Sequence, residues 1–269
     1  KRIDLANEAA GGVRKFDVLR GRTVCNLFLE PSTRTKSSFE LAEKRLGADS
    51  LSMGGSTSSV VKGESLADTI QTIDAMNVDM FVCRNAGDGK HQHPTQAMLD
   101  LYTIRESLGH LDGLRVAIVG DLSHSRVCGS LVPALHTMGA EVTLVAPPTF
   151  QVDDPSYLGC EQTADLDSVI SDVDVVYMLR VQLERMEGAA IPSKREYNRL
   201  WGLNARRVER MRPDAVICHP GPMNRGMEID AEVADCARSR ILDQVHAGVL
   251  TRMAEMYLLL GGDNNELSA

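Results

Sequence analysis

The chain has 269 residues, 43% of them hydrophobic and 25% charged, a size and balance that fit two α/β domains rather than one small core. Its formal charge of -8 excludes a general nucleic-acid surface, so any anion site must be built from local cations against an acidic background. No apolar run approaches the roughly 20 residues of a membrane-crossing helix, and residues 1–10 lack a secretory h-region and read as the remainder of a helix.

Short apolar runs alternate with amphipathic segments, the pattern of parallel α/β architecture. Residues 23–29 (TVCNLFL) predict a buried strand, followed by a helix over about 33–46. Residues 52–63 (SMGGSTSSVVKG) are small and polar and read as a loop. Leu66, Ile70, Ile73 and Met76 mark one helical face, and residues 80–83 the next strand. Pro94 opens a helix at the favoured first position, with Ala97, Leu101, Ile104 and Leu108 as its apolar stripe. The glycines at 109 and 113 break the pattern and suggest a domain boundary. Further strands are expected at 114–120, 142–145, 173–179 and 215–218. A last helix carries Val245, Val249, Met253, Met256 and Leu260 and stops at Gly261-Gly262. One junction fails. Arg84 ends a strand and Asn85-Ala86-Gly87-Asp88-Gly89 follows at once, although a parallel crossover needs about a dozen residues or more. Either that loop is special or a segment is absent.

Four hydroxyls and two cations crowd into Ser32 to Ser37, between a buried strand and a helix start. Free backbone N–H groups, the positive end of the helix dipole and a guanidinium suit a phosphate there, although an ordinary Ser/Thr cap is also compatible. Lys62 ends the small-residue loop, in the wrong order for a P-loop, and no G-x-G-x-x-G follows any strand. His91 and His93 stand two apart without a third ligand, which argues against zinc. His93 instead precedes Pro94 at a helix N-terminus, where a neutral imidazole can donate to a carbonyl oxygen. Arg126 and Arg180 follow strands, at the carboxyl edge where open α/β sheets bind ligands, and arginine suits planar carboxylate recognition. The six cysteines (Cys25, Cys83, Cys128, Cys160, Cys218, Cys236) lack a C-x-x-C pair and read as free thiols of a reducing cytoplasm.

Phe28-Leu29-Glu30-Pro31-Ser32-Thr33-Arg34-Thr35, Lys62-Gly63-Glu64-Ser65, His93-Pro94-Thr95-Gln96, Tyr177-Met178-Leu179-Arg180-Val181-Gln182 and His219-Pro220-Gly221-Pro222-Met223-Asn224-Arg225-Gly226 together resemble the aspartate/ornithine transcarbamoylase family, in its order and across nearly the whole chain. The resemblance implies that Ser32, Thr33, Arg34, Thr35 and Arg84 bind the phosphate of carbamoyl phosphate. It implies that Arg34, Thr35 and His93 polarise the carbonyl, while Gln96 and the backbone at Pro220 and Gly221 hold the amide. Arg126, Arg180 and Gln182, with Lys62, would grip the carboxylates of L-aspartate. Ser58 and Lys62 resemble loop residues lent by a neighbouring subunit, which implies a homotrimer, with regulatory or other pyrimidine-pathway subunits as further candidate partners. Family members carry a His-Pro pair, a helix and a strand after the arginine equivalent to Arg84, so the broken crossover is a departure from the pattern.

The expected fold is therefore α/β with two domains, each a mainly parallel sheet flanked by helices. Residues 1–110 would bind carbamoyl phosphate, with the helix at about 245–262 packed back onto them, and residues 111–244 would bind aspartate. The expected reaction is carbamoyl transfer to L-aspartate without metal or cofactor, in the cytoplasm. The alternatives are another amine acceptor such as ornithine, a nucleotide-binding module, or a catalytically dead homologue with a structural role. Ornithine-specific relatives carry His-Cys-Leu-Pro where this chain has His219-Pro220-Gly221-Pro222, and Arg180 has the wrong sign for a cationic amine.

Overall fold

The computed structural model describes residues 3, 12–30, 32–54, 65–84, 92–182 and 193–261. The chain divides into two compact units, Lys1–Lys90 with Gly248–Ala269, and His91–Ala247. The division falls one helix before the glycine break at 109–113. The helix that opens at Pro94 belongs with the second unit because its Ala97 and Ile104 are buried in that unit's core.

In the first unit a three-stranded parallel sheet places β1 (Thr23–Phe28) between β2 (Asp49–Gly54) and β3 (Met80–Arg84). Helix α1 (Thr33–Leu46) follows β1 and α2 (Leu66–Asp74) precedes β3. As the central strand, β1 is buried from Val24 to Phe28, which is why its residues form a continuous apolar run. By contrast, β2 is an edge strand exposed from Asp49 to Ser52. Residues 52–54, expected in a loop, are held in it by backbone pairing to Asn26, Leu27 and Phe28. Such pairing leaves no mark on side-chain pattern. The expected stripe of α2 also shortens, since Ile73 is buried while Met76 lies beyond the helix, 64% exposed. Gly47 closes α1 in the left-handed conformation (φ 78°), and a Cβ there would stand 3.0 Å from the Phe16 carbonyl oxygen.

In the second unit α3 (Pro94–Leu108) leads into a five-stranded sheet of β4 (Arg115–Val119), β5 (Glu141–Val145), β6 (Glu161–Thr163), β7 (Val175–Met178) and β8 (Val216–Cys218). Every pairing is parallel and the order is β6-β5-β4-β7-β8. Helices α4 (Arg126–Thr137), α5 (Lys194–Trp201), α6 (Ala205–Arg210) and α7 (Ala231–Ala234) flank it, and α8 (Ile241–Leu259) follows. The chain builds outward from β4 to β6 and then returns to β7 on the other side of β4, so the order reverses between β4 and β7. That reversal is the switch point at which ligands of open α/β sheets bind.

Both faces of this sheet are covered. Val116, Ile118, Val175 and Tyr177 join one core cluster with Leu131 and Leu135 of α4. Ala117, Val119, Val176 and Met178 join the other, with Met211 and Val233. Each fully buried aliphatic side chain contributes roughly 1.5–3 kcal/mol, so the alternating registers of β4 and β7 anchor the switch point from two sides.

Candidate active site

In the first unit α1 begins without the usual cap. Ser32 occupies the N-cap position but makes no side-chain capping bond, and no acidic residue lies in the first turn. Its hydroxyl instead accepts a hydrogen bond from Arg84 Nη1 at 3.0 Å. At α2, in contrast, Ser65 accepts from the Asp68 amide and Asp68 supplies negative charge. The same residue type closes one helix start and leaves the other open. An uncapped, acid-free N-terminus carrying Thr33, Arg34 and Thr35, with a second guanidinium alongside, is suited to an anion. Arg84 is brought there by β3, whose last backbone carbonyl accepts from the Leu29 amide at 2.9 Å, and its Nε also meets Glu30 Oε2 at 3.3 Å.

The position of α1 is set from beneath by Glu43, which is fully buried. Asn26 Nδ2 of β1 donates to both of its carboxylate oxygens, at 2.8 and 3.0 Å, and the Ser50 hydroxyl of β2 donates as well. Burial pushes the Glu43 carboxyl above the usual range, partly offset by the hydrogen bonds from Ser50 and Asn26.

In the second unit the loop after β4 meets the segment after β7. Gly120 has φ 131°, and a Cβ there would lie 2.8 Å from the Leu179 carbonyl oxygen, so the two strand ends approach as only glycine permits. Asp121 follows with its side chain fully buried. It accepts from His124 Nδ1 at 2.7 Å and from the Gln182 amide at 3.3 Å, while Gln182 Nε2 donates to the His124 carbonyl at 2.8 Å. Ser125 caps α4, accepting from the Cys128 amide, which places Arg126 at the first helical position. Arg126, Arg180 and Gln182 thus stand on two segments clasped together at the switch point.

His93 is the N-cap residue of α3, and its backbone N–H donates to Ser130 Oγ of α4 at 2.8 Å. Three residues on, Gln96 Nε2 donates to Asp100 Oδ1 at 2.9 Å. In the segment after β8 the Gly221 amide donates to His219 Nδ1 at 2.7 Å. That ring nitrogen is therefore the acceptor, and Nε2 carries the proton toward Glu228 Oε1, 3.3 Å away and fully buried. The Gly221 N–H is thus engaged and Pro220 has none, so any further backbone hydrogen bond by this pair is made through a carbonyl. Asn224 Nδ2 ties it to the Val181 carbonyl at 3.0 Å, next to Arg180.

Ser58 and Lys62 lie outside the described residues, as do Pro31 and the stretch 85–91 in which the crossover breaks. All six cysteines are free thiols, and burial raises Cys128 to about 12 and Cys160 to about 11. Among the described residues no group of three or more His, Cys, Asp or Glu side chains is gathered to hold a metal, and no helix is long and apolar enough to cross a membrane. Four further residues that the sequence does not single out organise the candidate segments of the second unit: Asp100, Asp121, Glu228 and Gln244. Asp100 carried a signal, since it shares the inward face of α3 with Ala97 and Ile104, where an ionisable side chain is rare unless partnered.

The family model described as the carbamoyl-P binding domain of aspartate/ornithine carbamoyltransferase matches residues 2–85, and the Asp/Orn binding domain model matches residues 112–259. The chain belongs to the aspartate/ornithine carbamoyltransferase family. Among curated members, the aspartate carbamoyltransferase catalytic subunit of Thermobifida fusca is 53% identical, with 96% of this chain and 89% of that protein covered. The corresponding subunit of Streptomyces coelicolor is 49% identical, with 98% and 90% covered. Among solved members, aspartate transcarbamoylase from Trypanosoma cruzi in complex with N-(phosphonacetyl)-L-aspartic acid superposes with a TM-score of 0.83 at 32% identity, covering 96% of this chain and 88% of that one. Ornithine carbamoyltransferase from Pyrococcus furiosus gives 0.84 at 27% identity, covering 98% and 91%. Fold likeness is thus similar to a member named for each acceptor, whereas the high sequence identities are to members named aspartate carbamoyltransferase.

Proposed function

We propose that this chain transfers the carbamoyl group of carbamoyl phosphate to the amino group of L-aspartate, giving N-carbamoyl-L-aspartate and phosphate as a step of de novo pyrimidine biosynthesis. The observation that carries the reading is a pair of cationic sites: an uncapped, acid-free helix start with Arg34 and Arg84, and two arginines at a sheet switch point. Two polyanionic substrates repel each other unless cations intervene, and these arginines are the cations. Ser32, Thr33, Arg34, Thr35 and Arg84 hold the phosphate. Arg34, Thr35 and His93 stabilise the oxyanion that forms when the neutral amine attacks the carbonyl carbon. Gln96 and the backbone carbonyls of Pro220 and Gly221 accept from the carbamoyl NH₂. Arg126, Arg180 and Gln182 hold the aspartate carboxylates. The tetrahedral intermediate collapses by expelling phosphate, which takes the amine proton, so no covalent enzyme intermediate is required. Holding both reactants aligned supplies much of the remaining acceleration.

Identity near one half to aspartate-specific catalytic subunits supports aspartate as acceptor. So does Arg180, whose charge would repel the side-chain ammonium of ornithine. The proposal extends to a homotrimer in which Ser58 and Lys62 complete a neighbour's site. It extends also to a cytoplasmic location, supported by six free thiols. The deciding experiment incubates the purified protein with carbamoyl phosphate and either L-aspartate or L-ornithine. Carbamoyl-aspartate is the expected product, and turnover of ornithine alone, or of neither, would overturn the reading.

A further inference from the structure

At the centre of the second unit lies a carboxylate that no step of the reaction uses. Asp100 is fully buried on α3. Its Oδ1 accepts from Gln96 Nε2 at 2.9 Å and from Gln244 Nε2 at 2.7 Å, and its Oδ2 accepts from the Tyr177 hydroxyl at 2.6 Å. Gln96 also hydrogen-bonds the Tyr177 hydroxyl, and Tyr177 is itself fully buried. Gln244 Oε1 in turn accepts from the His219 amide at 2.8 Å. These partners come from four separate segments, with sequence separations of up to 144 residues.

An ionised carboxylate can only accept, whereas a glutamine amide has one accepting and one donating end. A glutamine facing a carboxylate must therefore present its NH₂, and its carbonyl oxygen is turned the other way. Gln244 shows the result directly, with its oxygen on the His219 N–H at the root of the Pro220–Gly221 segment. Gln96 likewise presents its NH₂ to Asp100, which turns Oε1 away from that carboxylate. A core of apolar side chains would serve folding equally well, because burying a charge is costly even when it is hydrogen-bonded. A buried acceptor at this point does what an apolar group cannot: it sets the sense of every amide around it.

We propose that Asp100 is the positioning residue that sets the polarity of the groups facing the carbamoyl NH₂, orienting Gln96 directly and the Pro220–Gly221 carbonyls through Gln244 and His219, so that the NH₂ meets acceptors only. Such a site takes an acyl phosphate bearing an NH₂ and discriminates against one bearing a methyl group. The inference rests on the transferase reading and deepens it, from which residues touch the carbamoyl group to what makes them selective.

The test compares affinities for carbamoyl phosphate and acetyl phosphate, measured by calorimetry on the wild-type protein and on Asp100→Asn. Asparagine keeps the volume but exchanges one acceptor oxygen for another donor, so donor meets donor and at least one group must turn. The preference for carbamoyl over acetyl phosphate is expected to fall about tenfold, the equivalent of one neutral hydrogen bond. A merely structural role would weaken both ligands alike, and an unchanged ratio overturns the inference while leaving the transferase reading intact. If the wild-type protein binds neither phosphate, the transferase reading itself fails and the inference falls with it. Should Asp100→Asn not fold, side-chain ¹⁵N spectra of the wild-type protein decide. The Gln96 amide protons are expected to be protected from solvent exchange, and rapid exchange overturns the assignment.

Discussion

Arg34 is exposed in the first turn of α1, so it contributes little to the core. Arg34→Ala is expected to lower kcat by ~10²–10³, the usual cost of one oxyanion donor, with an unchanged thermal unfolding curve. Steady-state kinetics beside calorimetric melting checks both halves. Glu255 is a different case. Burial raises its carboxyl to about 7 despite the opposing influence of Arg252. The folded protein therefore binds more protons than the unfolded chain between the ordinary value of 4.5 and about 7, so stability is highest below that window and declines as pH rises through it. The melting temperature is expected to fall across this interval, and Glu255→Gln to flatten the decline. An identical pH profile for that variant would refute the assignment.

Among elements, legibility followed burial. Strands β1, β4, β5, β7 and β8 are readable because continuous apolar runs record a sheet covered on both sides, while β3 is readable from its short apolar run although it is only half-buried. The edge strand β2 has four exposed residues and β6 only three residues in all, so backbone pairing alone holds them and their sequences look like loop. The candidate site divides in the same way. Ser32 to Thr35, His93, Arg126 and Arg180 stand out as candidates because each lies next to a strand end or helix start that is visible locally. Asp100 and Asp121 do not, because their meaning lies largely in partners brought close by the fold: Tyr177 is 77 residues from Asp100, and Gln182 is 61 from Asp121. Gly120 joins the two levels. Gly120→Ala places a methyl group against the Leu179 carbonyl in a backbone conformation that alanine resists, so a loss of about 1–3 kcal/mol is expected. Because Arg180 follows Leu179, KM for aspartate should rise as well, and stability measurements paired with aspartate titration would detect the two together.

For the whole molecule, the resemblance carries expectations that residue patterns could not, namely the acceptor and a loan of Ser58 and Lys62 between subunits. That sharing is open to a direct test. Lys62→Ala chains and Arg180→Ala chains, each inactive alone, are expected to regain activity when dissociated, mixed and reassembled, because some sites then receive two intact contributors. Absence of recovery in the mixture would count against a shared site.

The clasp at Asp121 has one more consequence. Because a single carboxylate grips the stretch bearing Arg126 and the stretch bearing Gln182, neither can be remodelled while its companion stays put. A lineage drifting toward a new amine would have to rewrite both at once, or first sacrifice the knot and spend generations with a slack binding surface.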